Sequence, residues 1–288
     1  MSTPSAGNGL ARTLLRLSPR VGAAAPAAIP RAVLLAFLVL AVVLIASLWP
    51  GLFLRSDPFV GNTADKLLPP GAHYWFGTDQ LGRDLYSRVV QGSWSSVTSA
   101  MTAVLIGLLF GSLAGLLAGF SARWLDTVLS RLIDVLLAIP NFLLAVLIVS
   151  SFGFETINVA IAAGVSAIAV FARLMRSEVL KARSAPFVEA ATLAGASRLR
   201  ILLGHVLPNA YRSVLALAVL QFGSAILSIS ALAFLGYGDP PPASDWGLLI
   251  ASGKDYPSSP WLVFYPALVI VITVLSLNRI SRWMRQAG

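Results

Sequence analysis

Six stretches of the chain run without a single Asp, Glu, Lys or Arg: 32–54, 89–122, 135–154, 156–172, 213–238 and 256–278. Apolar and polar residues do not alternate within them, so the two-residue period of a barrel strand is missing. Most are long enough to cross a hydrocarbon core, which takes about 20 apolar residues as helix, and 156–172 sits at the lower limit. A helix satisfies its own backbone hydrogen bonds in lipid, which an open strand cannot do. The pattern predicts an all-α polytopic membrane protein with six transmembrane helices, near 32–52, 96–120, 133–152, 156–174, 212–235 and 261–281.

Composition supports this. Of the 288 residues, 57% are hydrophobic and 11% charged, where a soluble domain carries about a quarter charged. The net charge of +9 takes its meaning from placement. With both termini cytoplasmic, only Arg55, Lys66, Arg83, Arg88 and Lys254 fall outside, and the other sixteen of the 21 Lys and Arg fall inside. That is the positive-inside distribution. The excess charge is topological, the expected partner is the lipid bilayer, and no nucleic-acid partner is implied.

On this topology residues 1–31, rich in Ala, Pro, Gly and Ser, read as a flexible cytoplasmic tail. Residues 32–54 form the first transmembrane helix, retained as an anchor because no small-x-small cleavage site follows "SLWPG". Residues 55–92 are extracytoplasmic. Residues 93–282 hold five further spans, with a cytoplasmic loop at 173–211 and an extracytoplasmic loop at 236–259.

The chain shows no engine of its own. It has no cysteine, hence no thiolate nucleophile or thiolate metal site. His73 and His205 fall on opposite sides of the membrane, so neither a metal set nor a Ser/His/Asp constellation is expected. "GLLIASGKD" (247–255) misses the P-loop pattern, with five residues between its glycines and Asp255 after the Lys. Nor does any ionisable residue lie deep in a span, where proton- or sodium-driven carriers place one. Uphill transport would need energy from another chain.

Inside the spans, Gly107, Gly111, Gly115 and Gly119 form a smooth stripe at helical pitch, suited to close helix packing. Pro140 removes a backbone donor and predicts a kink in the third span. Arg131 and Asp134, three residues apart, suggest a modest surface ion pair. Asn141, Asn158 and Gln221 either line a path for a hydrogen-bonding solute or bond neighbouring helices.

The loop 173–211 carries a pattern of its own. Pro186 opens a helix whose apolar face is Phe187, Ala190, Ala191 and Ala194. Gly195 suits the left-handed position past a helix end, and Ser197 suits the cap of a second helix. Leu199, Leu202, Leu203 and Val206 then follow helical spacing, and Pro208 opens the fifth span. Such an element fits a partner's groove, or lies on anionic lipid as an interfacial helix.

"EAATLAG" (189–195) with Leu207 and Pro208 resembles the EAA signature of bacterial ABC-importer permeases, E-A-A-x-x-x-G-x9-I-x-L-P. His205 stands where that signature has Ile, and "HVLPN" (205–209) is similar to the peptide/nickel branch of the family. "FGTDQLGRDLYSRVVQG" (76–92), "FARLMRSEVL" (171–180), "FLGYGDPPPASDWG" (234–247) and "PWLVFYPALVIVITVLSLN" (260–278) resemble the same branch, in the same order. The chain is thus identified as similar to the shorter, C-type permease subunits of dipeptide and oligopeptide importers, although "RISRWMRQAG" departs from the family's C-terminal pattern.

The resemblance implies a type I importer fold and a heterodimer with a homologous permease. It also implies two cytoplasmic ATPases, which bind the ATP and Mg, and an extracytoplasmic peptide-binding protein; no cofactor is expected in this chain. Residues 189–200 would be the coupling helix. Glu189 and Arg198 would make polar contacts, Ala190, Ala191, Leu193, Ala194 and Ala196 a close fit, and Gly195 the turn, with Leu207 and Pro208 completing the signature. On the outer face Asp79, Arg83, Asp84, Asp239 and Trp246 are candidates to meet the binding protein, or else fold the loops by local pairing. Nickel or glutathione uptake is the nearest alternative, and a stand-alone carrier or channel a remote one.

Overall fold

The computed structural model describes residues 30–286 apart from Ala122 and Pro241; most of the tail expected at 1–31 lies outside the described residues. Helix α1 runs Arg31–Leu48. Helix α2, Leu85–Ile106, continues through a π-turn at Gly107–Gly111 into α3, Ser112–Phe120. Then follow α4, Arg123–Ala138, α5, Asn141–Phe152, and α6, Thr156–Arg183. Two short helices, α7 at Pro186–Leu193 and α8 at Arg198–Ile201, precede a π-turn at Leu202–Val206. Helix α9 spans Leu207–Phe234, α10 Trp246–Gly253 and α11 Trp261–Gln286. Among the described residues there is no strand, only an isolated bridge between Thr78 and Asp84.

Five helical rods are long and apolar enough to cross a bilayer, and α4 with α5 makes up to a sixth. The expected third span, 133–152, is not a kinked rod. Helices α4 and α5 meet at 89°, because Pro140 adopts φ −55°, ψ 127° and leaves the helical region altogether. Twelve-residue α5 reaches only about 18 Å, short of the roughly 30 Å core. Helix α4 keeps Trp124, Val128, Leu132 and Val135 exposed along one side.

Helix α6 is the centre of the packing, and the glycine stripe is what lets α2 and α3 approach it. A β-carbon on Gly111 would lie 2.5 Å from the Ile168 carbonyl oxygen, and one on Gly115 2.3 Å from that of Ala172. Gly107 and Gly119 instead meet side chains, Gly107 those of Phe171 and Ala167 and Gly119 that of Val179. The stripe therefore serves backbone-to-backbone packing.

Polar residues of α6 add to this packing. Arg176 grips both oxygens of Asp126 at 2.6 and 2.9 Å, and Arg183 donates to the Gly119 carbonyl at 2.6 Å. Asp134 pairs with Arg173 at 3.1 Å, not with Arg131 three residues away. Tertiary approach of α6 supplies the better-placed cation.

Helices also run past the charges that seemed to end them. Helix α2 starts at Leu85, inside the segment 55–92 expected to be extracytoplasmic, because Arg88 is buried and lies 3.7 Å from Asp79. The second short helix expected before Pro208 is α8, and it runs on through the π-turn into α9. From Arg198 to Phe234 the backbone is one helical rod. Its π-turn accommodates Pro208, which has no N–H to give to Gly204, while the Leu207 N–H reaches back to Leu202.

Candidate functional sites

At one end of the bundle, residues 184–206 project as a knob. Pro186 starts α7, and its end is a Schellman motif. The Gly195 N–H donates to Thr192 O and the Ala196 N–H to Ala191 O, both at 3.0 Å. Gly195 has φ +78°, the left-handed conformation that glycine adopts without a β-carbon penalty. The Ser197 hydroxyl then accepts from the Arg200 N–H at 3.4 Å, a long capping bond that starts α8.

Val188, Ile201 and Val206 anchor this knob in the core, with Ala191, Ala196 and Leu207 half-buried beside them. Phe187 rests on the His205 ring, centroids 6.2 Å apart. Everything else expected of the coupling segment faces outward: Glu189, Ala190, Leu193, Ala194, Gly195, Arg198 and Pro208 are exposed. Leu193 is 83% and Leu199 63% accessible. Apolar side chains this bare on a rigidly capped turn, flanked by Glu189, Arg198 and Arg200, make a surface suited to burial in a groove.

At the opposite end the outer-loop candidates take the loop-folding role. Asp79, Arg83 and Asp84 are 4%, 7% and 5% exposed. Asp79 accepts from the N–H groups of Leu81 and Arg83 and pairs with the Arg83 guanidinium at 2.7 Å. Asp84 caps α2 through the Ser87 N–H at 3.1 Å. Trp246 is wholly buried and donates from Nε1 to Val89 O at 3.1 Å. Asp239 caps α6 from across the bundle, accepting from the Thr156 N–H at 2.9 Å and its hydroxyl at 2.6 Å. These residues fold the loops, because most of their polar atoms are spent on one another, on nearby backbone and on helix ends, with Asp84 Oδ1 buried and unpartnered among the described residues. The loops also expose apolar side chains: Leu52, Val60, Trp75 and Leu81.

Trp246→Phe shortens a fully buried ring and leaves Val89 O without this donor. We expect a loss of about 1–3 kcal/mol, read as a lower unfolding temperature in detergent.

The three path residues separate. Asn141 and Gln221 line one small cavity of about 40 Å³ with Ser166, Ser224 and Ser228. Asn158 is elsewhere, donating from its amide to Phe152 O at 3.0 Å, where it closes the end of α5. A larger cavity, about 390 Å³, went unread in the sequence. Trp94, Ser95, Thr98, Ser99 and Thr102 of α2 line it together with Glu155, Thr156 and Asp239. Thr98 donates to Trp94 O at 2.6 Å and Thr102 to Thr98 O at 2.9 Å. Their hydroxyl protons therefore point back into the helix, leaving lone pairs for the cavity. With two carboxylates and no cation in the lining, the wall accepts hydrogen bonds. Asp245 stands behind, and burial pushes its carboxyl above the usual range against the pull of the Leu248 and Gly247 N–H groups. The spacing 94, 98, 102 and 95, 99 places these hydroxyls and Trp94 on one face of α2 within the charge-free run 89–122.

Residues 107–287 match the family described as binding-protein-dependent transport system inner membrane component. The chain is 37% identical over 251 residues to a dipeptide transport system permease protein of Alkalihalophilus pseudofirmus, covering 87% of this chain and 82% of that one. It is 37% identical over 219 residues to a glutathione transport system permease protein of Escherichia coli, covering 76% and 72%. Among solved structures it resembles a chain of the inward-facing MetNI methionine ABC transporter, with TM-score 0.60 and 17% identity over 70% of this chain and 96% of that one.

Proposed function

Because the chain belongs to the family of binding-protein-dependent transport system inner membrane components, we propose that it is one permease half of an ATP-driven importer of di- and oligopeptides. Both termini face the cytoplasm. A homologous permease completes the pore, two ATPases bind ATP and Mg and dock on the knob at 184–206, and an extracytoplasmic binding protein delivers the peptide to the other end. The reading rests above all on the exposed, Schellman-capped turn at Gly195. It gives a motor a rigid handle that continues through α8 into the 37-residue rod Arg198–Phe234.

A push on this handle acts along α9, whose far half carries Gln221, Ser224 and Ser228. Helix α9 packs on α6 and α11, so displacement of the rod shifts the bundle as a unit. Peptide acts by binding one arrangement better than the other, since a ligand moves an equilibrium only through differential affinity. The acceptor-lined cavity along α2 suits N–H donors, which every peptide carries at its amino end and along its backbone.

Glutathione is the second reading, favoured by the relative of that name; it is itself a peptide and would use the same lining. Reconstitution of the four-subunit complex with its binding protein tests the proposal. ATP-dependent uptake of labelled dipeptide is expected, competed by unlabelled peptide. Uptake by this chain alone, without ATPases, would overturn it in favour of a stand-alone carrier.

A further inference from the structure

A cavity of about 430 Å³ opens beside the knob. Its lining comes from the last turns of α6 (Glu178, Lys181), the first turns of α9 (Asn209, Arg212, Ser213) and the last turn of α11 (Met284, Arg285), with Phe187 of α7 closing one wall. Three cations face one carboxylate. Among the described residues Lys181, Arg212 and Arg285 make no salt bridge; the ion pairs found are those of Arg83, Arg88, Arg173 and Arg176.

We propose that this cavity binds the phosphate headgroup of an anionic membrane lipid and that the bound lipid braces the coupling knob. The site lies at and just beyond the inner ends of the charge-free runs 156–172, 213–238 and 256–278, which is the depth of the headgroups. Tyr211 and Trp283 lie in the same helical turns as Arg212 and Met284, and aromatic residues of this kind mark the membrane–water interface. The lining is mixed. Basic side chains suit a phosphate, while Phe187, Ala182, Ala185, Pro208 and Met284 suit the glycerol and first methylenes of an acyl chain. A free anion would leave that apolar half in water. Basic pockets between transmembrane helices hold anionic headgroups by this combination.

The bracing follows from Phe187, which touches both the cavity and the His205 ring. Filling the cavity limits how far α7 can swing from the π-turn. The site requires bilayer-spanning helices and nothing about the transported solute, so its failure would leave the transport reading standing.

The test uses the whole transporter complex in nanodiscs of phosphatidylcholine with a minority of phosphatidylglycerol. Phosphatidylglycerol retained after detergent extraction is counted by native mass spectrometry. Arg212→Gln and Arg285→Gln should each lower retention about fivefold, while Arg212→Lys and the neighbouring Arg282→Gln, which lies outside the lining, should not. Equal retention by all variants overturns the proposal. If inorganic phosphate added to phosphatidylcholine discs raises thermal stability as much as phosphatidylglycerol does, the ligand is a free anion and the lipid assignment falls. If Arg212→Gln leaves lipid retention intact and instead sheds the ATPases, the cavity receives an acidic protein surface, and the proposal fails equally.

Discussion

Replacing Gly195 by proline should leave the protein in the membrane and end coupled uptake. The position has φ +78°, and a proline ring holds φ near −65°. The substitution also deletes the N–H that donates to Thr192 O. Strain of about 1–3 kcal/mol and a lost hydrogen bond of about 1 kcal/mol fall on an eight-residue helix that could not persist alone. The Schellman turn should open and α7 lose its aim, while the spans, which do not depend on it, insert as before. Membrane-fraction immunoblots, ATPase co-purification and uptake separate these effects. Gly195→Asn, which tolerates the left-handed region, should retain most transport. Normal uptake by the proline variant would remove the knob from the mechanism.

The second large effect is expected at Gly115. A β-carbon there would sit 2.3 Å from Ala172 O and 2.8 Å from the Met175 β-carbon. The nearest obstacle is backbone, so no rotamer change relieves it. Gly115→Leu must push α3 off α6, and overpacking of even flexible cores costs about 1–3 kcal/mol. Here we expect the folded yield to collapse, read by size-exclusion of the detergent extract. Gly223→Ala is the matched contrast. Its β-carbon would meet Val274 and Leu277 at ordinary distances, 3.6 Å and beyond. With helix propensity in its favour, that variant should be neutral or more stable. If both variants behave alike, close approach is not what the stripe provides.

The spans were legible because lipid leaves the chain one option, a helix of sufficient apolar length. The knob was legible because a proline, a left-handed glycine and a capping serine each have a local physical meaning that tertiary context seldom overrides. Helix ends were not. Arg88 and Arg176 read as boundaries, yet Asp79 and Asp126 meet them in space, and a charge partnered across the fold no longer stops a helix. Pro140 announced a bend, but not that it would leave the helical region and turn the chain through 89°. Asp79, Arg83 and Asp84 looked like a docking surface because polar residues in a loop default to solvent. Only the fold shows Asp79 and Arg83 consumed by each other and Asp84 by the α2 cap. The hydroxyl face of α2 was present at helical spacing, and a count of charges could not register it.

The central claim, that the bare turn at residues 189–200 is where an ATPase takes hold, has a direct test. The chain has no cysteine, so Leu193→Cys supplies a single thiol at the most exposed large apolar residue of the knob. In the assembled transporter, with one cysteine introduced on the ATPase surface facing it, that thiol should form a disulfide cross-link whose yield changes with ATP. A cysteine on the opposite end, Leu81→Cys, should form none. A transporter that imports peptide normally while Leu193→Cys never cross-links to an ATPase in any nucleotide state would contradict the account.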